Sequence, residues 1–99
     1  MSSYEQVQTE DRRLVILLVL AESDGYLCNE YMLRDLLAQR GHDVSQDRVR
    51  SDLDWLQEQG LLKVKDIEDT RIATMNGRGL DVSAGRTKVT GVKRPRPGG

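Results

Sequence analysis

Every residue from Leu14 to Ala21 is apolar. Such a run wraps all faces of a helix instead of forming one stripe. Thr9 stands ahead of it as an N-cap, and Glu10 and Asp11 fill the first turn, where the helix dipole favours negative charge. The pattern therefore predicts a first helix from Thr9 to about Ala21, ended by Ser23-Asp24-Gly25, with residues 1–8 flexible or frayed. A 99-residue chain has little material for burying a helix on every side. Two readings follow: a homodimer interface through helix 1, or a central helix covered by the N-terminal residues and a fourth helix.

The next blocks change period. Tyr26-Leu27-Cys28 reads as a short extended piece. Asn29 then caps a second helix in which Met32, Leu33, Leu36 and Leu37 point inward and Glu30, Arg34, Asp35 and Gln39 face water, with Cys28 and Leu33 spaced as a hydrophobic staple. Gly41 supplies its left-handed end. After the turn Gly41-His42-Asp43-Val44, Ser45 caps a third helix whose inward stripe is Val49, Leu53 and Leu56. Asp52 and Trp55 flank that stripe. Gln46, Asp47, Arg50, Ser51 and Asp54 lie opposite, and Arg48 at the edge. Gly60 ends the helix. Leu62 and Val64 then alternate with Lys63 and Lys65, and Ile72 anchors a return strand after a turn at Ile67 to Thr70, which gives a hairpin. Thr74 is expected to cap a short fourth helix ending before Gly85, packed by Leu80 and Val82. Residues 86–99 mix Gly and Pro with Lys88, Lys93, Arg94 and Arg96, and read as a flexible basic tail with no core of its own.

Composition narrows the classes. One Cys excludes an internal disulfide and a cysteine metal cluster, so no metal or cofactor is expected. Met1-Ser2-Ser3-Tyr4-Glu5 is polar and lacks the basic start of a secretory signal. The Leu14–Ala21 run is too short to cross a membrane, so a cytoplasmic location is expected. The net charge of −1 conceals a split. Residues 1–69 hold 15 acidic and 8 basic side chains, whereas residues 70–99 hold 1 and 7. Such a tail contacts an anion, serves as a solubilising extension, or folds back onto the acidic body.

Chemistry points to binding and not to catalysis. His42 is the one histidine, so no Ser-His-Asp set stands out, and no glycine-rich phosphate loop follows a strand. Cys28 reads as packing, His42 as a solvated turn residue, and Trp55 as a lid on the core. The third helix, by contrast, offers donors near its N-terminus. Arg48 and Arg50 suit guanine or phosphate, Gln46 suits adenine, and Ser45 and Ser51 suit phosphate. Lys63, Lys65, Arg71, Arg86, Lys88, Lys93, Arg94 and Arg96 would add backbone contacts. Against this stand Asp47, Asp52, Asp54 and Glu58 on the helix and Asp66, Glu68 and Asp69 on the hairpin, all of which repel phosphate. On a solvated helix Arg48 and Arg50 would simply pair with Asp47, Asp52 or Asp54.

The Val44-Ser45 entry, the stretch Arg48-Val49-Arg50-Ser51-Asp52-Leu53, Trp55-Leu56 and Gly60-Leu61-Leu62 leading into a hairpin resemble the winged helix-turn-helix family of ArsR- and MarR-like regulators over residues 9–85. The chain also looks like small winged-helix proteins of Mu-like prophages. The resemblance implies an α+β, mainly α fold with a short β-hairpin wing. It also implies a dimeric transcription regulator that binds double-stranded DNA by placing helix 3 in the major groove. The metal-sensing Cys and His clusters of such regulators have no counterpart here. The competing reading keeps the fold but makes the acidic face a docking surface for a protein partner in a phage or nucleoprotein assembly.

Overall fold

The computed structural model describes residues 3–96. They form a small α+β domain, mainly helical, with four α-helices and one three-stranded antiparallel sheet among the described residues. The elements are α1 (Tyr4–Glu22), β1 (Leu27–Asn29), α2 (Glu30–Gln39), α3 (Gln46–Glu58), β2 (Leu62–Ile67), β3 (Thr70–Met75) and α4 (Gly77–Ser83).

The first helix starts earlier than Thr9. Ser3 is its N-cap, with the hydroxyl accepting from the Gln6 amide at 3.1 Å. Nothing in Tyr4–Gln8 breaks a helix, and side-chain bonds Gln8 to Tyr4 and Gln6 to Glu10 span successive turns. Residues 4–8 are therefore part of α1, not a separate lead-in, and residues 1 and 2 of the expected flexible segment lie outside the described residues. The apolar run that suggested a dimer is covered inside one chain. Leu14, Ile16, Leu17, Val19 and Leu20 are buried, and Val15, Leu18 and Ala21 pack against the core. α1 is thus a central helix touching α2, β3 and α4.

The second and third helices follow their capping residues. Asn29 accepts from the amides of Tyr31 and Met32, and Ser45 accepts from Arg48. Gly41, at φ +92°, turns the chain between them. Leu33, Leu37, Val49, Leu53 and Leu56 are all fully buried. Met32 is not: it is half-exposed, because it stands beside the inward stripe of α2. Asp52 is inside the α3 stripe and not at its flank. It holds buried Arg12 of α1 through two hydrogen bonds, one of them from Nη2 at 3.2 Å.

The strands are longer than expected and the turn tighter. β2 and β3 pair from Leu62–Met75 to Ile67–Thr70, leaving Glu68 and Asp69 as a two-residue turn with φ of +49° and +65°. Left-handed residues at both central positions match the twist of a hairpin. β1 joins the far side of β3, giving the order β1-β3-β2. Thr74 belongs to β3, and Asn76 caps α4 instead, accepting from the Gly79 amide.

The expectation that nothing after Gly85 packs is corrected by residues 86–96. Val89 and Val92 join the core. The Gly91 carbonyl accepts from Arg13 Nη1 at 3.0 Å, and the Lys93 amide donates to the Glu10 carbonyl at 3.2 Å. Gly91 has φ +102°, and a Cβ there would lie 2.6 Å from the Trp55 ring. The backbone thus passes the indole at a distance only glycine allows. Two valines, one close glycine and the bonds to Arg13 and Glu10 fix a segment whose composition reads as disordered. Residues 97–99, the remainder of the expected tail, lie outside the described residues.

Two measurements check this packing. Asp52→Ala strands the Arg12 guanidinium in the core and is expected to lower unfolding free energy by about 3–5 kcal/mol in urea titration. Val89→Ala with Val92→Ala removes four buried methyl groups, and a loss of about 3 kcal/mol is expected at ~0.8 kcal/mol per buried carbon. A double variant as stable as the parent would show that the segment contributes nothing to the core.

Candidate functional site

The α2–α3–hairpin unit is organised around one carboxylate. Asn29 places Glu30 at the first helical position, and Glu30, Leu33 and Leu37 then fall at i, i+3 and i+7 on the inward face. Glu30 therefore does not face water; its side chain is fully buried. It accepts from Gln46 Nε2 at 3.0 Å, Arg50 Nε at 2.6 Å, Arg50 Nη2 at 3.0 Å and the Arg71 amide at 2.6 Å. The Arg50 guanidinium, with help from the Arg71 amide and Gln46, outweighs the effect of burial and holds the Glu30 carboxyl down to about 2.

Three of the sequence-selected residues are thus drawn into structural bonds. Gln46 and Arg50 are tied to Glu30. Arg71 donates from Nη1 to Asp54 at 2.8 Å, and its Nε lies 3.8 Å from an Asp66 oxygen. The partner of Arg50 is neither Asp47, Asp52 nor Asp54 but a residue on another helix. Ser45 spends its hydroxyl as the α3 cap, while Arg48 and Ser51 are exposed. Lys63 and Lys65 are exposed on the sheet face opposite Leu62, beside a groove of about 570 Å³ that also includes Thr74 and Asn76. Arg86 pairs with Asp81 at 2.8 Å and Lys93 with Asp11 at 3.1 Å. Lys88, Arg94 and Arg96 are exposed and make no ion pair among the described residues.

What remains on the outward side of α3 is acidic. Asp47, Ser51, Asp54 and Glu58 recur at i, i+4, i+7 and i+11, so they share one stripe, and all four are exposed. Asp66, Glu68 and Asp69 are exposed at the hairpin end. Arg48 is the cation of α3 that makes no ion pair among the described residues. Exposed apolar side chains border this unit: Tyr31 and Met32 in the first turn of α2, and Ile67 at the end of β2.

A second polar cluster lies behind the unit. His42 is buried, not solvated, and its Nε2 is 2.7 Å from an Asp11 oxygen while Lys93 Nζ holds the other. Burial would raise the Asp11 carboxyl, but these two hydrogen bonds prevail and hold it below its ordinary value. Trp55 is half-buried, with the Arg13 guanidinium 3.8 Å above its ring and Gly91 beside it. Cys28 is buried, which pushes its thiol up. Among the described residues no group of three or more His, Cys, Asp or Glu side chains is placed to hold a metal ion. No helix among the described residues is long and apolar enough to cross a membrane.

The sequence reading missed Glu30, Asp52 and Arg12. Their signal was present in the spacing. Glu30 is in phase with Leu33 and Leu37, Asp52 with Val49 and Leu56, and Arg12 with Ile16 and Val19.

The chain is 48 % identical over 91 residues to the uncharacterized protein gp26 of Escherichia phage Mu, covering 92 % of this chain and 94 % of that protein. It is 48 % identical over 67 residues to an uncharacterized protein of Haemophilus influenzae, covering 68 % of this chain and 65 % of that protein. No family model matches the chain, and no solved structure matches it. The chain belongs to the family of phage Mu gp26.

The Glu30 site has a pH signature. A carboxyl depressed on folding stabilises the fold above its unfolded value, and that contribution is lost as pH falls through the folded value. Stability is therefore expected to fall between about pH 4.5 and about pH 2 as Glu30 takes up a proton. Glu30→Gln is expected to lower stability at neutral pH and to flatten this part of the profile in thermal melts. An unchanged acid slope in the variant would assign the loss to other carboxyls.

Proposed function

We propose that this member of the phage Mu gp26 family is a winged helix-turn-helix module that docks on a basic protein surface in a phage or nucleoprotein assembly. The order α2, turn, α3, hairpin, with β1 on the outer side of β3, supports the winged-helix reading. The α3–hairpin unit is then the recognition element.

One observation carries the choice of partner. Gln46 and Arg50, two of the three donors suited to reading bases, are bonded to Glu30, and Arg71, suited to the backbone, to Asp54. Bidentate recognition of guanine needs a free edge of two donors. Arg50 has committed Nε and Nη2 to a carboxylate that is itself buried. Releasing it would leave Glu30 charged and under-bonded in the interior. The exposed Asp47 and Glu58 of the outward stripe then repel the phosphates that dominate DNA affinity and attract lysine and arginine.

A second reading rests on Arg48. It is exposed one turn into α3, beside the exposed Ser51, and Lys63 and Lys65 are exposed on the sheet. In that reading the protein is a double-stranded-DNA-binding regulator, with Arg48 as its principal base or phosphate contact.

Fluorescence anisotropy with two probes separates them: a labelled peptide of alternating lysine and glycine, and a random DNA duplex, each across a salt series. The docking reading expects peptide binding that weakens with salt and falls at least about tenfold in Asp47→Lys with Glu58→Lys, two charge pairs being worth about 1.4 kcal/mol or more. The DNA reading expects duplex binding that loses ~1–3 kcal/mol in Arg48→Ala. Duplex binding without peptide binding would overturn the proposal.

A further inference from the structure

The segment after α4 closes on itself. From Gly85 the chain runs through buried Val89 and Val92, crosses Trp55 at Gly91, and returns so that Pro95 Cγ lies 3.2 Å from the position of a Cβ on Gly85. Arg86 follows Gly85, and Arg94 and Arg96 flank Pro95, so closure gathers three arginines at the base of the loop. Arg86 is paired with Asp81, whereas Arg94 and Arg96 are exposed without an ion pair among the described residues, as is Lys88. The loop is held by the Arg13–Gly91 bond, the Lys93–Glu10 backbone bond and the Lys93–Asp11 ion pair. These cations stand on a fixed base, which lowers the ordering cost of contact.

The acidic stripe of α3 and this basic loop are surfaces of opposite sign in one chain. No ion pair joins them within a molecule among the described residues. We propose that the basic partner of the α3–hairpin face is a second copy of this chain, whose 86–96 loop docks against it head to tail. The inference rests on the docking function proposed above and names its partner. Charge complementarity selects the occupant: Asp47, Glu58, Glu68 and Asp69 are exposed on one face, and Lys88, Arg94 and Arg96 on the other. The half-exposed Tyr31 and Ile67 bordering the acidic face supply apolar area that ion pairs alone lack. A DNA duplex suits the loop less well, because its three unpaired cations, Lys88, Arg94 and Arg96, neutralise few phosphates. Since the two faces are different, each contact leaves one face open at either end. Association then proceeds to a linear chain of copies or closes into a ring, a ring of two included.

Light scattering on the full chain tests this with two variants. One is Asp47→Lys with Glu58→Lys, which removes the acidic face. The other is Lys88→Glu with Arg94→Glu and Arg96→Glu, which removes the basic one. All five positions are exposed, and circular dichroism verifies the folds; a Lys88→Gln, Arg94→Gln, Arg96→Gln set serves if charge reversal disturbs the loop. The parent is expected to rise above its monomer mass of 11.2 kDa with concentration at low salt and to return toward it at high salt. Each variant alone is expected to stay monomeric, and their equimolar mixture to associate again, because each face then finds its complement on the other variant. A parent that stays monomeric at low salt overturns the inference, as do variants that associate as the parent does. If the parent stays monomeric yet binds the lysine–glycine peptide through α3, the docking function survives with a different partner. If the loop variant instead loses duplex affinity, the loop is a DNA contact and the inference fails.

Discussion

A single carboxylate with no access to water sets the geometry of the α2–α3–hairpin unit. Apolar contacts among Leu33, Leu37, Val49, Leu53 and Leu56 supply most of the driving force, but they are non-directional. Glu30 adds direction. Its two oxygens receive four donors from α3 and β3, and each donor must arrive at one distance and angle. A rotation of α3 that kept its leucines buried would break these bonds and leave a charge uncompensated. The hairpin is tied into the same arrangement, because the Arg71 amide bonds to Glu30 while its side chain reaches Asp54.

Two further links extend this polar skeleton. Arg12 and Asp52 join α1 to α3 through the core, and Asp11 joins α1 to the α2–α3 turn through His42 and to the C-terminal segment through Lys93. Each link draws partners that are far apart in sequence. The apolar run of α1 permits many ways of packing that helix. Arg12 and Asp11, one turn ahead of the run, select one of them.

The legible parts of the fold were those with a local physical cause. Asn29 and Ser45 cap helices because their side-chain oxygens satisfy free amides. The stripe of Val49, Leu53 and Leu56 has one period, and the Lys63–Val64–Lys65 alternation has another. The misread parts had non-local causes. Residues 86–96 are rich in charge, glycine and proline, and only the groove offered by Trp55 and α1 makes Val89 and Val92 core residues. Ser3 displaced Thr9 as a cap because the intervening residues tolerate a helix, a choice that propensity alone leaves open. Charge misled most. A glutamate in phase with leucines reads as solvated until its arginine, on another helix, is known, and the same ignorance made Arg50 look free for a ligand.

The electrostatics of the surface follow from the same assignments. A net charge of −1 gives the molecule almost no field at long range. Its extents of 40 × 27 × 24 Å are several times the Debye length of about 8 Å at physiological ionic strength, so separate charged patches act independently of one another. Once Gln46, Arg50 and Arg71 are turned to internal partners, α3 offers the stripe of Asp47, Ser51, Asp54 and Glu58, and the opposite charge is carried where the chain loops over Trp55. A ligand approaching from solution meets one sign or the other and hardly their sum. Contact with this surface is therefore a matter of complementarity at one face. That makes the identity of the few unpaired charges, Arg48 among them, weigh more than the balance of acids and bases along the chain.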